Sequence, residues 1–85
     1  MTDEFHVSSL VVHGRPERLE AIRAELARLA GIEVHAAAPT GKLVVTLETE
    51  SEHEIVARLT TISLLDGVLS ATLVFHHVEP IQDRR

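Results

Sequence analysis

Apolar and polar positions along the chain follow two rhythms, one of period two and one of period three to four, and they alternate in blocks. Phe5–His13 reads FHVSSLVVH, a short apolar and β-branched run closed by Gly14, which by length and composition is a strand. After Pro16 the period changes: Leu19, Ile22, Leu26 and Leu29 recur at the spacing of one buried helix stripe. Pro16 suits a first helical turn, where the missing N–H costs nothing, Glu17 and Glu20 favour the positive helix end, and Gly31 is expected at C′. Alternation then returns, with Ile32, Val34 and Ala36 set against Glu33, His35 and Ala37. It resumes after Pro39-Thr40-Gly41 with Leu43, Val45 and Leu47 set against Lys42, Val44, Thr46 and Glu48, so the pattern predicts a strand, a turn and a strand.

Ser51-Glu52-His53-Glu54 matches the S-x-x-E capping box, in which hydroxyl and carboxylate each satisfy a backbone N–H at a helix start. Ile55, Leu59 and Ile62 follow as a stripe, predicting a second helix to about Leu65, and Asp66-Gly67 ends it. In 68–78, Leu69, Ala71, Leu73 and Phe75 alternate with Ser70, Thr72, Val74 and His76 as a final strand. From Pro80 to Arg85 the chain is expected to be a flexible polar tail.

The element order β-α-β-β-α-β, with right-handed crossovers nearly obligatory, predicts an α+β, ferredoxin-like sandwich over residues 1–85. Its four-stranded antiparallel sheet has the order 4-1-3-2. Two helices cover only one face of four strands, so the other face meets solvent or a partner. If Leu43, Val45, Leu47, Leu69, Ala71, Leu73 and Phe75 face the helices together with Ser8, Leu10 and Val12, then Val7, Ser9, Val11, Val44, Thr46, Thr72 and Val74 face outward. Pairing Leu10 with Leu73 sets Val11 opposite Thr72, Ser9 opposite Val74 and Val7 opposite His76. A solvated sheet face usually carries Lys, Glu, Arg or Gln, so this small apolar surface with scattered hydroxyls reads as a docking surface, against the alternative that β-branched residues simply suit strands.

Length and charge narrow what that face can do. A chain of 85 residues buries only roughly 60–65% of the surface its unfolded form exposes, enough for one core and not for a deep enclosed active site. There is no Cys, which removes thiolate zinc sites and Cys nucleophiles and fits a reducing compartment. The N-terminal residues have neither a basic n-region nor an apolar h-region, and no apolar run reaches the ~20 residues of a membrane span, so a cytoplasmic protein is expected. Thirteen acidic against eight basic residues disfavour a nucleic-acid backbone and favour a cationic partner. The topology gathers Asp3, Glu4, Glu48, Glu50, Glu52 and Glu79 on one rim, suited to attracting Arg or Lys; capping and solubility are the competing roles, above all for Glu52 and Glu54.

Chemistry-bearing constellations are few. The serines lack a His and acid arrangement, no phosphate-binding Gly loop exists, and with no Asn the Arg/Asn chemistry of acylphosphatases on the same fold is unavailable, so no enzyme is expected. Without Trp or Tyr, base stacking on strand aromatics is unsupported. His6 is expected near His76 and His77, but adjacent strand residues point to opposite faces, so the two cannot easily share an ion and neither metal nor cofactor is expected. Two other roles stay open: a small metal-handling or ligand-sensing module using His6 with His76 or His77, and a regulatory domain that self-associates through its open sheet or edge strands.

Three segments carry a family resemblance: VSSLVV at 7–12, GIEVHAAAPTGKLVVTLE at 31–48 and GVLSATLVFHH at 67–77. In order and spacing they are similar to the NapD family, cytoplasmic chaperones of the periplasmic nitrate reductase catalytic subunit, NapA. The resemblance implies a non-enzymatic protein that binds the twin-arginine signal peptide of the NapA precursor and holds back export during cofactor maturation. Some relatives carry Cys where this chain has Ser8. On this reading the acidic rim, Glu48 and Glu50 foremost, receives the arginines, and the Val/Thr face made by Val7, Ser9, Val11, Val44, Thr46, Thr72 and Val74 receives the apolar side of the peptide.

Overall fold

The computed structural model describes residues 4–80, which run β1 (Glu4–Gly14), a 3₁₀ turn (Pro16–Arg18), α1 (Leu19–Ala27), β2 (Ile32–Ala37), β3 (Lys42–Thr49), α2 (Glu52–Ser63) and β4 (Val68–Pro80). The four strands form one antiparallel sheet in the order β2-β3-β1-β4, the expected ferredoxin-like arrangement, with the apolar stripes of both helices against one side. Asp3 and the tail segment 81–85 lie outside the described residues.

Each helix forms for the reason its sequence predicts, with local adjustments. Pro16 opens a 3₁₀ turn before α1 begins at Leu19. α1 closes earlier than expected, with Arg28 as its cap, so Gly31 is not the C′ residue; at φ 80° it turns the chain into β2, and its carbonyl accepts the Glu48 N–H at 2.8 Å. At α2 the Ser51 hydroxyl accepts the Glu54 N–H at 3.3 Å, the first half of the capping box. The reciprocal bond is displaced by one residue, since Glu54 Oε1 accepts from the Glu50 N–H at 3.5 Å rather than from Ser51.

The core is built from Leu10 and Val12 of β1, Ile22 and Leu26 of α1, Leu43, Val45 and Leu47 of β3, and Ile55 and Ile62 of α2. Leu19, Leu29 and Leu59 complete the two stripes from its margin. β4 departs from its expected share. Ala71 and Val68 pack against the core, but Leu69 is exposed because a register slip between His13 and Gly14 skips it and gives its place to Val68, and Leu73 is exposed because β4 is an edge strand at the limit of what two short helices cover.

Ser8 sits on the core side as expected, fully buried, and its hydroxyl has no hydrogen-bond partner among the described residues. A buried hydroxyl without a partner costs stability, so Ser8→Ala should raise the unfolding free energy by about 1 kcal/mol, read as an increase in Tm. A lowered Tm would mean that the hydroxyl is bonded in solution.

Candidate functional site

The side of the sheet away from the helices carries three cross-strand rows, all centred on β1. Val11 lies between Val44 of β3 and Thr72 of β4. Ser9 lies between Thr46 and Phe75, and Val7 lies between Glu48 and His77. Neighbouring strands stand ~4.8 Å apart, so each row is a strip about 10 Å wide in which the β1 side chain is the floor. Val7, Ser9 and Val11 are half-buried by their neighbours, while Val44 is 43% exposed and Thr72 is also exposed. The Thr46 hydroxyl is held by His35 Nε2 at 2.7 Å, which ties β2 into the face.

Two of these rows differ from the pairing that alternation predicts. Between Ser9 and Leu10 the β1–β4 register slips by one residue: Leu10 pairs with Leu73 as expected, but Ser9 pairs with Phe75 and not with Val74. Val74, 58% exposed, is the extra residue of a β-bulge. Beyond it the parity of β4 is inverted. Phe75, expected toward the helices, lies on the open face at 56% exposure, and Val7 faces His77 rather than His76. The Phe75 and His77 rings stand side by side, 6.3 Å between centroids and 14° from parallel. Phe5 shares their parity and is also exposed. The open face is therefore more aromatic than a Val/Thr/Ser surface.

Sequence signals for this were present but ambiguous. Leu73-Val74-Phe75 is three apolar residues in succession, the point at which alternation loses its phase, and such a run marks either a bulge or a doubly covered strand.

The inverted parity also sends His76 to the helix side, where its Nε2 lies 3.0 Å from Nδ1 of buried His6 and the rings stack with centroids 5.3 Å apart. One imidazole N–H of the pair donates to the other's bare nitrogen. His77 is on the opposite face, so the expected separation of the two histidines holds. No group of three or more His, Asp or Glu among the described residues is arranged to hold a metal ion.

Of the six acidic residues expected on one rim, Glu48, Glu50 and Glu52 have described side chains, and these divide between two surfaces. The start of β1 lies beside the ends of β3 and β4, with Glu4 opposite Pro80 and His6 opposite Thr49. Glu48 is exposed on the open face, level with Val7, and with Glu33 borders a small depression of about 270 Å³. Glu50, past the end of β3, lines instead an open cleft of about 700 Å³ on the helix side, with His6, Ser51, Glu52, His53, Val56 and Val78. An apolar strip with one carboxylate at its edge is suited to binding an extended or helical segment that is cationic at one end and apolar beyond it. No helix among the described residues is long and apolar enough to cross a membrane.

Residues 5–80 match the family model described as NapD protein. The chain belongs to the NapD family. It is similar to Chaperone NapD of Paracoccus pantotrophus, 40% identical over 94% of this chain and 70% of that protein. It is also similar to Chaperone NapD of Escherichia coli (strain K12), 34% identical over 93% of this chain and 92% of that one. A solved structure described as the solution structure of the E. coli Tat proofreading chaperone protein NapD superposes with a TM-score of 0.80, at 32% identity, over 86% of this chain and 78% of that one. NapD proteins are chaperones and not enzymes.

Proposed function

We propose that this NapD chain binds the twin-arginine signal peptide of the periplasmic nitrate reductase precursor in the cytoplasm and holds back its export while the enzyme matures. The observation that carries the reading is the uncovered sheet face: a continuous strip from Val44 and Val11 to Val7 that ends at the carboxylate of Glu48. A twin-arginine signal supplies the complementary order of charges, arginines followed by an apolar segment. The relatives named Chaperone NapD and the neighbour described as a Tat proofreading chaperone support the same reading.

In this arrangement Val7, Val11, Val44 and Thr72 contact the apolar segment. Ser9 and Thr46 lie between them, with Val74 at the bulge margin, and Glu48 and Glu50 attract the cationic end. Calorimetric titration with the nitrate reductase signal peptide of the same organism should give tight one-to-one binding, lost when both arginines are replaced by uncharged alanine. Absence of binding to the native peptide would overturn the reading.

Charge reversal should separate the two carboxylates. Glu48→Lys should weaken peptide binding about tenfold at low salt and flatten its salt dependence, because attraction and repulsion at an exposed rim are both screened. Glu50→Lys should have a smaller effect, since that side chain lies around the rim in the helix-side cleft. Equal effects would mean that the peptide wraps over the rim.

A further inference from the structure

We propose that Phe75, together with His77 and Glu48, forms a guanidinium-selective seat on the open face, and that this seat makes the chain prefer an arginine over a lysine in the bound peptide. The inference rests on the peptide-binding reading above and assigns to it residues that alternation of the sequence hides.

The seat is defined by register. Glu48, Val7 and His77 are consecutive across β3, β1 and β4, and Thr46, Ser9 and Phe75 form the adjoining row. Glu48 and the two rings thus stand two strand spacings apart, about 10 Å between backbones, over a floor of Val7 and Ser9. That gap admits one planar cation with a carboxylate at one edge and an aromatic surface at the other. Phe75 and His77 are near-parallel at 6.3 Å, and more than half of Phe75 is exposed, so its ring can meet a ligand without rearrangement of the core.

Charge alone does not distinguish the two basic side chains. Glu48 attracts an ammonium and a guanidinium alike, and the screened contribution of one exposed carboxylate is similar for both. Stacking does distinguish them. The guanidinium is planar, weakly hydrated and able to lie flat on a ring while its edge N–H groups donate to a carboxylate, whereas the ammonium is a compact and strongly hydrated point charge. A floor of small side chains and a wall of rings beside a single carboxylate therefore selects shape as well as sign. The bulge at Val74 is what supplies the wall, since without it Phe75 would point to the helices and Val74, an aliphatic residue, would stand opposite Ser9.

The experiment is a calorimetric matrix: the signal peptide with its twin arginines and the same peptide with twin lysines, each titrated into wild-type protein and into Phe75→Leu, Phe75→Tyr and Glu48→Gln. Wild type should bind the arginine peptide about tenfold or more tightly than the lysine peptide. Phe75→Leu, which keeps apolar bulk on an exposed edge-strand position, should reduce that ratio to about twofold, and Phe75→Tyr should restore it. Glu48→Gln should weaken both peptides by a similar factor and leave the ratio in place. A Phe75→Leu protein that keeps the full ratio overturns the seat while leaving peptide binding intact. A wild-type protein that binds neither peptide overturns the peptide-binding reading, and the seat with it.

Discussion

Replacing Val11 with Asp is expected to abolish signal-peptide binding, by more than a hundredfold, while the protein stays folded. Val11 is the centre of the open face, flanked by Val44 and Thr72 and covered by neither helix. In the free protein an Asp carboxylate at this half-buried position still reaches water. Under an apolar peptide segment it would be desolvated with no partner, and an unpaired charge buried at an interface costs several kcal/mol, which converts to more than a hundredfold in affinity. Titration calorimetry reads the loss, and far-UV circular dichroism with a thermal melt shows that the fold survives. Val74→Asp should weaken binding much less, because the bulge sets Val74 outside the paired rows. Full-strength binding by the Val11 variant would move the site off this face.

The largest effect on stability is expected at Gly41. It closes the β2–β3 turn with φ 106°, in the region that L-residues avoid. Its carbonyl accepts the Gly14 N–H at 2.8 Å, and a Cβ built at this position would run into the Gly14 carbonyl oxygen, which is backbone and cannot swing aside. Gly41→Ala therefore adds backbone strain to a clash at the point where the turn is joined to the end of β1. The cost should be about 3 kcal/mol, or a fall in Tm of roughly 10–20 °C for a domain of this size. A Tm within about 3 °C of wild type would show that the turn relaxes away from Gly14 at little cost.

Most of the architecture was legible because its signals are local. The stripe Leu19, Ile22, Leu26, Leu29 and the cap at Ser51 each describe one element, and both helices form around those signals, with α1 closing at Ala27, just short of Leu29. Leu43, Val45 and Leu47 alternate cleanly over β3, and the inward and outward sides of β1 and β3 follow from that alternation alone. The outward-facing positions on these two strands were therefore readable, Glu48 among them. The position of Glu50 was not, because it follows the last β3 residue and the direction the chain takes there depends on how α2 begins.

β4 marks the boundary. Periodicity and turn chemistry act within a few residues, so the six elements and the face on which the central strands bury their large side chains can be read along the chain, and the handedness of crossovers then sets the order of the strands in the sheet. Where β4 slips against β1 is settled by long-range pairing. Alternation cannot state which of Leu73, Val74 and Phe75 is the extra residue, because the answer depends on which cross-strand pairs form with a strand more than sixty positions away. That one slip turns Phe75 and His77 outward to the open face, turns His76 inward onto His6, and thereby sets the chemistry of both sides of the sheet.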